Sequence, residues 1–258
     1  MITNKQVKEL VTWNRKSKAR KEDNVFLVEG SKMFLEADNK RIRSIYVSES
    51  FFANDECRQK MDEVGYETVP EETFKKISDT MTPQGILCVM ERMEYTLEDL
   101  LVKENPTLIV LEDLQDPGNL GTIMRTGEGA GIDGVIMSKG CVDIYNPKTI
   151  RSTMGSLYRV PFLYVEDLAQ TIADLKEKGI TFYAAHLKGE RYYDEFDFTK
   201  EGGCAFLIGN EGNGLKDEIA DLADSYLKIP MEGKLESLNA AVASSILMYE
   251  AYRQKRTK

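Results

Sequence analysis

A chain of 258 residues with 42% hydrophobic content is long enough to bury one large core or two modest ones. Its formal charge of −9 excludes an indiscriminately basic nucleic-acid binder, because phosphate contacts need lysine and arginine. No apolar run approaches the roughly 18 residues that span a bilayer, and the opening Met1-Ile2-Thr3-Asn4-Lys5-Gln6 lacks the apolar stretch of a signal peptide, so no membrane partner and a cytoplasmic location are expected.

The first 22 residues stand apart. Val7, Leu10, Val11 and Trp13 recur at helical spacing, and Lys5, Lys8, Arg15, Lys16, Lys18, Arg20 and Lys21 face only Glu9 and Glu22. Seven cations against two anions give this arm +5 and leave −14 for the remainder. It reads either as a solvated helix face or as an RNA contact.

From Val25 the pattern alternates between short apolar runs and helical periods. The predicted elements are strand Val25 to Val28, helix Ser31 to Asp38, strand Ile42 to Val47, helix Asn54 to Val64, strand Tyr66 to Val69, helix Glu71 to Ile77 and strand Ile86 to Met90. These form a small α/β domain, 23–95. Residues 96–105, charged and ending at Pro106, read as a linker.

The alternation restarts in 106–258. Strands are predicted at Thr107 to Leu111, Gly134 to Met137, Val160 to Val165, Thr181 to Ala185, Ala205 to Ile208 and Tyr226 to Ile229. Helices are predicted at Gly118 to Gly127, Pro147 to Met154, Asp167 to Lys178, Leu215 to Leu222 and Leu238 to Gln254. Short apolar strands between helices call for a mostly parallel sheet covered on both faces.

Gly129-Ala-Gly131-Ile-Asp-Gly134 fits a dinucleotide fingerprint, but a helix precedes it and a strand follows, the reverse of the order that presents backbone N–H groups to a pyrophosphate. It reads as a helix end and turn. Cys57, Cys88, Cys141 and Cys204 are scattered and His186 is the only histidine, so neither a disulfide framework nor a metal site is expected.

Three segments carry chemistry. Asn119-Leu-Gly121-Thr-Ile-Met-Arg125-Thr126 puts Arg125 on a helix about two turns from Asn119, either as a surface arginine lying over its helix or as a guanidinium that grips phosphate. Gly209-Asn210-Glu211-Gly212-Asn213-Gly214 follows a strand and precedes a helix, the topology of a ligand loop, without the Lys-Ser/Thr ending of a triphosphate loop. Ile229-Pro230-Met231, with Glu236-Ser237-Leu238-Asn239, offers an apolar pocket before the last helix, with Ser237 a candidate N-cap.

In this order and spacing, the three segments resemble the motifs of the SpoU/TrmH branch of the SPOUT superfamily, in detail from Thr107 onward and more loosely over Val25 to Met90. The resemblance implies a C-terminal SPOUT domain, a parallel sheet between helices with a trefoil knot, preceded by a small α/β substrate-binding domain like a ribosomal protein. It implies an RNA ribose 2′-O-methyltransferase using S-adenosyl-L-methionine, acting as a homodimer without a metal, with ribosomal RNA favoured over transfer RNA. It puts Gly209, Ile229, Leu238 and Leu187 at the cofactor, where Asn210, Gly212, Met231 and Asn239 are expected beside them, and Arg125 in catalysis, where Asn119 and Glu211, a carboxylate able to hold a substrate hydroxyl or amine, are expected with it. Arginine holds its proton in proteins, so Arg125 is expected to anchor phosphate and favour an alkoxide-like oxygen, with the proton passing to Glu211 or water. Relatives have serine where this chain has Ala241, which leaves open a non-catalytic RNA-binding or ribosome-assembly factor on the same scaffold, beside a transfer-RNA 2′-O-methyltransferase.

Overall fold

The computed structural model describes residues 2–257. They fall into two compact units: the chain up to Met93 together with Asp143–Tyr158, and Glu94–Val142 together with the chain from Arg159 onward.

The first unit begins with helices α1 (Asn4–Arg15) and α2 (Ser17–Glu22). Strand β1 (Val25–Glu29), helix α3 (Ser31–Glu36), strand β2 (Ile42–Ser48), helix α4 (Asp55–Val64), strand β3 (Glu67–Val69), helix α5 (Glu71–Ile77) and strand β4 (Ile86–Glu91) follow. The sheet order is β1-β4-β2-β3, with β4 antiparallel to both neighbours and β3 parallel to β2. Successive strand side chains point to opposite faces, so Val25 and Leu27 join Leu10, Phe74 and Ile77 under α1 and α5. Phe26 faces the other way, its ring 4.7 Å from that of Tyr145, whose hydroxyl donates to the Met93 carbonyl.

The second unit contains strand β5 (Thr107–Leu111), helix α6 (Pro117–Ala130) and strand β6 (Gly134–Ser138). The chain then forms α7 (Pro147–Thr153), which belongs to the first unit, before returning as strand β7 (Phe162–Val165), helix α8 (Leu168–Glu177), strand β8 (Thr181–Ala185), strand β9 (Arg191–Tyr192), strand β10 (Cys204–Ile208), helix α9 (Asp217–Ala220), strand β11 (Ser225–Lys228) and helix α10 (Ala240–Arg256). All seven strands are parallel, in the order β7-β6-β5-β10-β8-β11-β9. The five residues of β10 are buried throughout, as expected of a central parallel strand.

Four local expectations change. The basic arm is two packed helices, with Arg20 only 3% exposed. Residues 96–105 are no bare spacer: Leu100 is fully buried in the second unit's core, where a side chain at Gly134 would collide with it. Helix α7 and its flanks, read with the C-terminal sheet, lie in the first unit, because Tyr145 seats against Phe26. The last helix is capped by Asn239 rather than Ser237, since the asparagine Oδ1 accepts from the N–H groups of Ala241 and Val242. The decoy glycines behave as read: α6 ends at Ala130, Gly131 is its left-handed cap at φ 69°, and β6 follows.

Candidate functional site

Strands β8, β10 and β11 end side by side, so their C-terminal loops meet at one edge of the parallel sheet, the edge where open α/β folds hold ligands. After β10, Gly209 passes so close to the next turn that an added Cβ would sit 2.1 Å from the Gly214 carbonyl carbon and the Leu215 nitrogen. Only glycine fits there. The loop then closes on itself: Asn210 N donates to Gly214 O at 3.1 Å, Gly214 N donates back at 2.9 Å, and Gly214 takes φ +70°.

Asn210 spends its side chain on that loop. Its Oδ1 accepts from the Gly212 and Asn213 N–H groups at 2.9 and 3.1 Å, and its Nδ2 donates to the Asp113 carbonyl at 2.8 Å. Asp113, just after β5, sits in the left-handed region at φ 51°, a conformation costly for a residue with a Cβ. Ser138 and Lys216 hold it there through its carboxylate, at 2.8 Å each. The Lys216 ammonium first, and the Ser138 hydroxyl second, keep that carboxyl below the usual carboxylate range.

Glu211 reaches across to the start of α6. Its Oε2 accepts from Gln115 N at 3.0 Å, and its Oε1 accepts from Asp116 N and from Asn119 Nδ2, both at 2.9 Å. Partial burial pushes the Glu211 pKa up, but the donors from Gln115, Asn119 and Asp116 outweigh it, and the net direction is down. Asn119 Oδ1 in turn accepts from Asn239 Nδ2 at 2.9 Å. One continuous chain of hydrogen bonds therefore runs from the loop after β10, through the first turn of α6, to the N-cap of α10.

Beside this chain lies an open cleft of about 330 Å³, within the size range of small-molecule sites. Leu187, Gly209, Asn210, Gly212, Ile229, Met231 and Leu238 line it, and so does Glu211. Asn239, expected at the cofactor, and Asn119 do not line it; both side chains are spent in the hydrogen-bond chain that reaches it through Glu211. Arg125 lies outside it on the exposed side of α6, opposite the fully buried Leu120, Ile123 and Met124, and its side chain makes no hydrogen bond or ion pair with the described residues.

The structure adds residues that the motifs do not single out. His186 lines the cleft beside Glu236 of the third segment, and the His186 Nδ1 accepts from Lys188 N at 3.1 Å, shaping the turn that carries Leu187. Lys188 pairs with Asp217 at 2.6 Å across the mouth of that turn. His186 precedes Leu187 directly, so adjacency could have flagged it. Gln115 gives its backbone N–H to Glu211, which no side-chain pattern signals, and its Nε2 donates to the Asp113 and Gly140 carbonyls at 3.0 and 2.6 Å. Among the described residues no cluster of His, Cys, Asp and Glu is placed to hold a metal ion.

Residues 106–249 match the model of the SpoU rRNA Methylase family, and residues 4–88 match the MRM3-like substrate binding domain. The chain is 33% identical over 235 residues, 90% of each chain, to the 23S rRNA (guanosine(2553)-2′-O)-methyltransferase RlmP of Bacillus subtilis. Its fold is similar to the crystal structure of the SpoU methyltransferase AviRb from Streptomyces viridochromogenes in complex with the cofactor AdoMet, with a TM-score of 0.89, 25% identity and 99% of each chain covered. It is also similar to an AdoMet-bound rRNA methyltransferase from Sinorhizobium meliloti, with a TM-score of 0.84 and 28% identity over 98% of this chain and 96% of that one.

Proposed function

The chain belongs to the SpoU rRNA methylase family and is an S-adenosylmethionine-dependent RNA 2′-O-ribose methyltransferase; we propose that its substrate is ribosomal RNA and that it works as a cytoplasmic homodimer. The observation that carries the site assignment is the hydrogen-bonded chain Glu211–Asn119–Asn239, which joins three segments far apart in sequence around one cleft.

The cleft's residues fit the cofactor. Leu187, Ile229, Met231 and Leu238 are apolar side chains suited to an adenine face, and the Gly209 to Gly214 loop brings backbone polar groups close without side-chain bulk. S-adenosylmethionine held by these residues would supply a methyl group activated by its cationic sulfonium sulfur, which departs as a neutral thioether.

The protein's own residues orient, shield and polarise. Arg125, exposed and unengaged, grips the phosphate beside the reacting nucleotide through paired N–H donors and stabilises negative charge developing on the ribose oxygen. Glu211 is held ionised by three donors, which makes it a weak base, so it positions Asn119 and the ligand loop while the hydroxyl proton leaves to water.

The homodimer reading rests on α6 and α10. The exposed stripe of α6 is Thr122, Arg125 and Gly129, continued by the half-buried Gly118, all small except the arginine, and α10 beside it exposes Val242, Tyr249 and Tyr252. Small residues beside aromatic ones allow two copies to approach closely and bury apolar area. A trefoil knot is the family's way of threading the segment between β11 and α10, and the placing of β10 between β5 and β8 is compatible with it.

Mapping ribose methylation by mass spectrometry, in a deletion strain complemented with wild type or Arg125→Ala, tests this function. One 2′-O-methyl nucleotide lost from ribosomal RNA and restored only by wild type supports it. A lost transfer-RNA methylation would move the substrate. No lost methylation, alongside retained cofactor binding, would favour a non-catalytic RNA-binding factor.

A further inference from the structure

A helical arginine can pair with residues three and four positions away on its own helix. For Arg125 those positions are Gly121, Thr122, Glu128 and Gly129, and only Glu128 carries a charge. It is also the only carboxylate within α6. Residues three apart on a helix have Cβ atoms about 5 to 6 Å from each other, so an uncommitted Glu128 would meet the Arg125 guanidinium. In the structure Arg125 is exposed, and its side chain makes no hydrogen bond or ion pair with the described residues.

Glu128 is held from another segment of the second unit. Arg159, in the turn before β7, donates from Nε to Glu128 Oε1 and from Nη2 to Glu128 Oε2, the latter at 3.1 Å, so one planar guanidinium takes up both carboxylate oxygens. The two side chains are 43% and 34% exposed, and an ion pair that meets water to this extent adds little to stability. Its effect is on charge. The pair is neutral as a whole, and it commits the one carboxylate that Arg125 could reach on its own helix.

We propose that Arg159 is a positioning residue for methyl transfer: by taking up Glu128 it keeps the Arg125 guanidinium available to the substrate phosphate, and it keeps a bare carboxylate from standing beside that phosphate. This rests on the reading of Arg125 as the phosphate anchor given above. Freed from Arg159, Glu128 acts in two ways. It occupies Arg125 for part of the time, as exposed helix pairs do, and it repels the phosphate whenever RNA is bound. In a chain with 43 acidic residues against 34 basic ones, a polyanion is held only where such repulsion is locally cancelled.

The test is methylation of total RNA from a deletion strain by the full chain, for wild type, R159Q, E128Q and R159Q/E128Q, with S-adenosylmethionine binding read by calorimetry. R159Q is expected to lower kcat about fivefold while leaving cofactor affinity within about twofold and the unfolding midpoint close to wild type. E128Q alone is expected to stay within about twofold of wild type, and R159Q/E128Q to return there, because the harm done by R159Q acts through the Glu128 charge. A contact that served structure alone would not be repaired by removing its second partner. Wild-type kcat in R159Q overturns the proposal, and so does an R159Q loss that E128Q fails to cure. If R159Q does not fold, R159M, which keeps the aliphatic stem on the surface, is read with and without E128Q and decides in the same way. Near-full activity of R125A would sink the anchor reading beneath the proposal, and that result is obtained with Arg159 and Glu128 untouched.

Discussion

Glu211 Oε1 accepts a 2.9 Å hydrogen bond from Asn119 Nδ2, and this contact spans 92 positions of sequence. It ties the loop after β10 to the first turn of α6, while Asn119 passes the connection on to Asn239 at the start of α10. The carboxylate is thereby a clasp, with each of its accepted bonds coming from an N–H donor.

Glutamine in place of Glu211 turns one acceptor into an NH₂ group facing N–H donors. Glu211→Gln is expected to weaken S-adenosylmethionine binding about tenfold, discounted for the exposure of the side chain, read by calorimetry. Because the folded pKa lies below the ordinary value, the clasp's contribution is complete above the usual glutamate range and is lost as pH falls through the lower folded value. Wild-type cofactor binding should therefore stay flat from pH 8 to about 5 and weaken only below about 4. A bend near neutral pH that disappears in the glutamine variant would contradict an ionised, donor-filled Glu211.

Arg125 lies outside the cofactor cleft, so its loss should separate binding from chemistry. Arg125→Ala is expected to lower kcat for RNA methylation by about 100-fold while leaving cofactor affinity within twofold. Arg125→Lys should recover little, since an ammonium cannot present paired N–H donors in one plane. Near-full activity in the lysine variant would remove the bidentate grip from the mechanism.

Gly209 has backbone where any side chain would go. Gly209→Ala would place a Cβ 2.1 Å from the Gly214 carbonyl carbon and the Leu215 nitrogen, so that peptide must shift, and the substitution should abolish measurable cofactor binding while the circular dichroism of the β-sheet persists. Calorimetry showing wild-type affinity would mean that the loop is free to move aside.

Arg20 pairs with Asp143 where both are largely shielded from water, and removing one partner strands the other. Arg20→Ala is expected to cost about 3 kcal/mol of the first unit's stability, seen as a lower unfolding midpoint. The double variant Arg20→Ala/Asp143→Ala should recover part of it. A single variant as stable as wild type would show that the corner between α1 and α2 is held by its other contacts.

Local signals were legible in the sequence. The strands and helices came from apolar spacing, the turn at Gly131 from the order of helix and strand, and the candidate site residues, Leu187 apart, from three motifs whose residue types suit a phosphate grip, a ligand loop and an adenine pocket. Such features depend on neighbours within a few positions, where backbone period and residue type decide the outcome. Tertiary packing decided the rest. That Arg20 of a basic arm is buried, that Leu100 of an apparent linker sits in a core, that Tyr145 draws α7 into the first unit, and that Asn239 rather than Ser237 caps α10 all depend on which surfaces meet. Glu211 carries the same lesson: its residue type marks a possible base, but its role is set by the N–H donors of Gln115, Asp116 and Asn119, brought from more than ninety positions away by the pairing of β10 with β5. Burial and hydrogen-bond partnership are properties of the packed chain, and a sequence read position by position does not contain them.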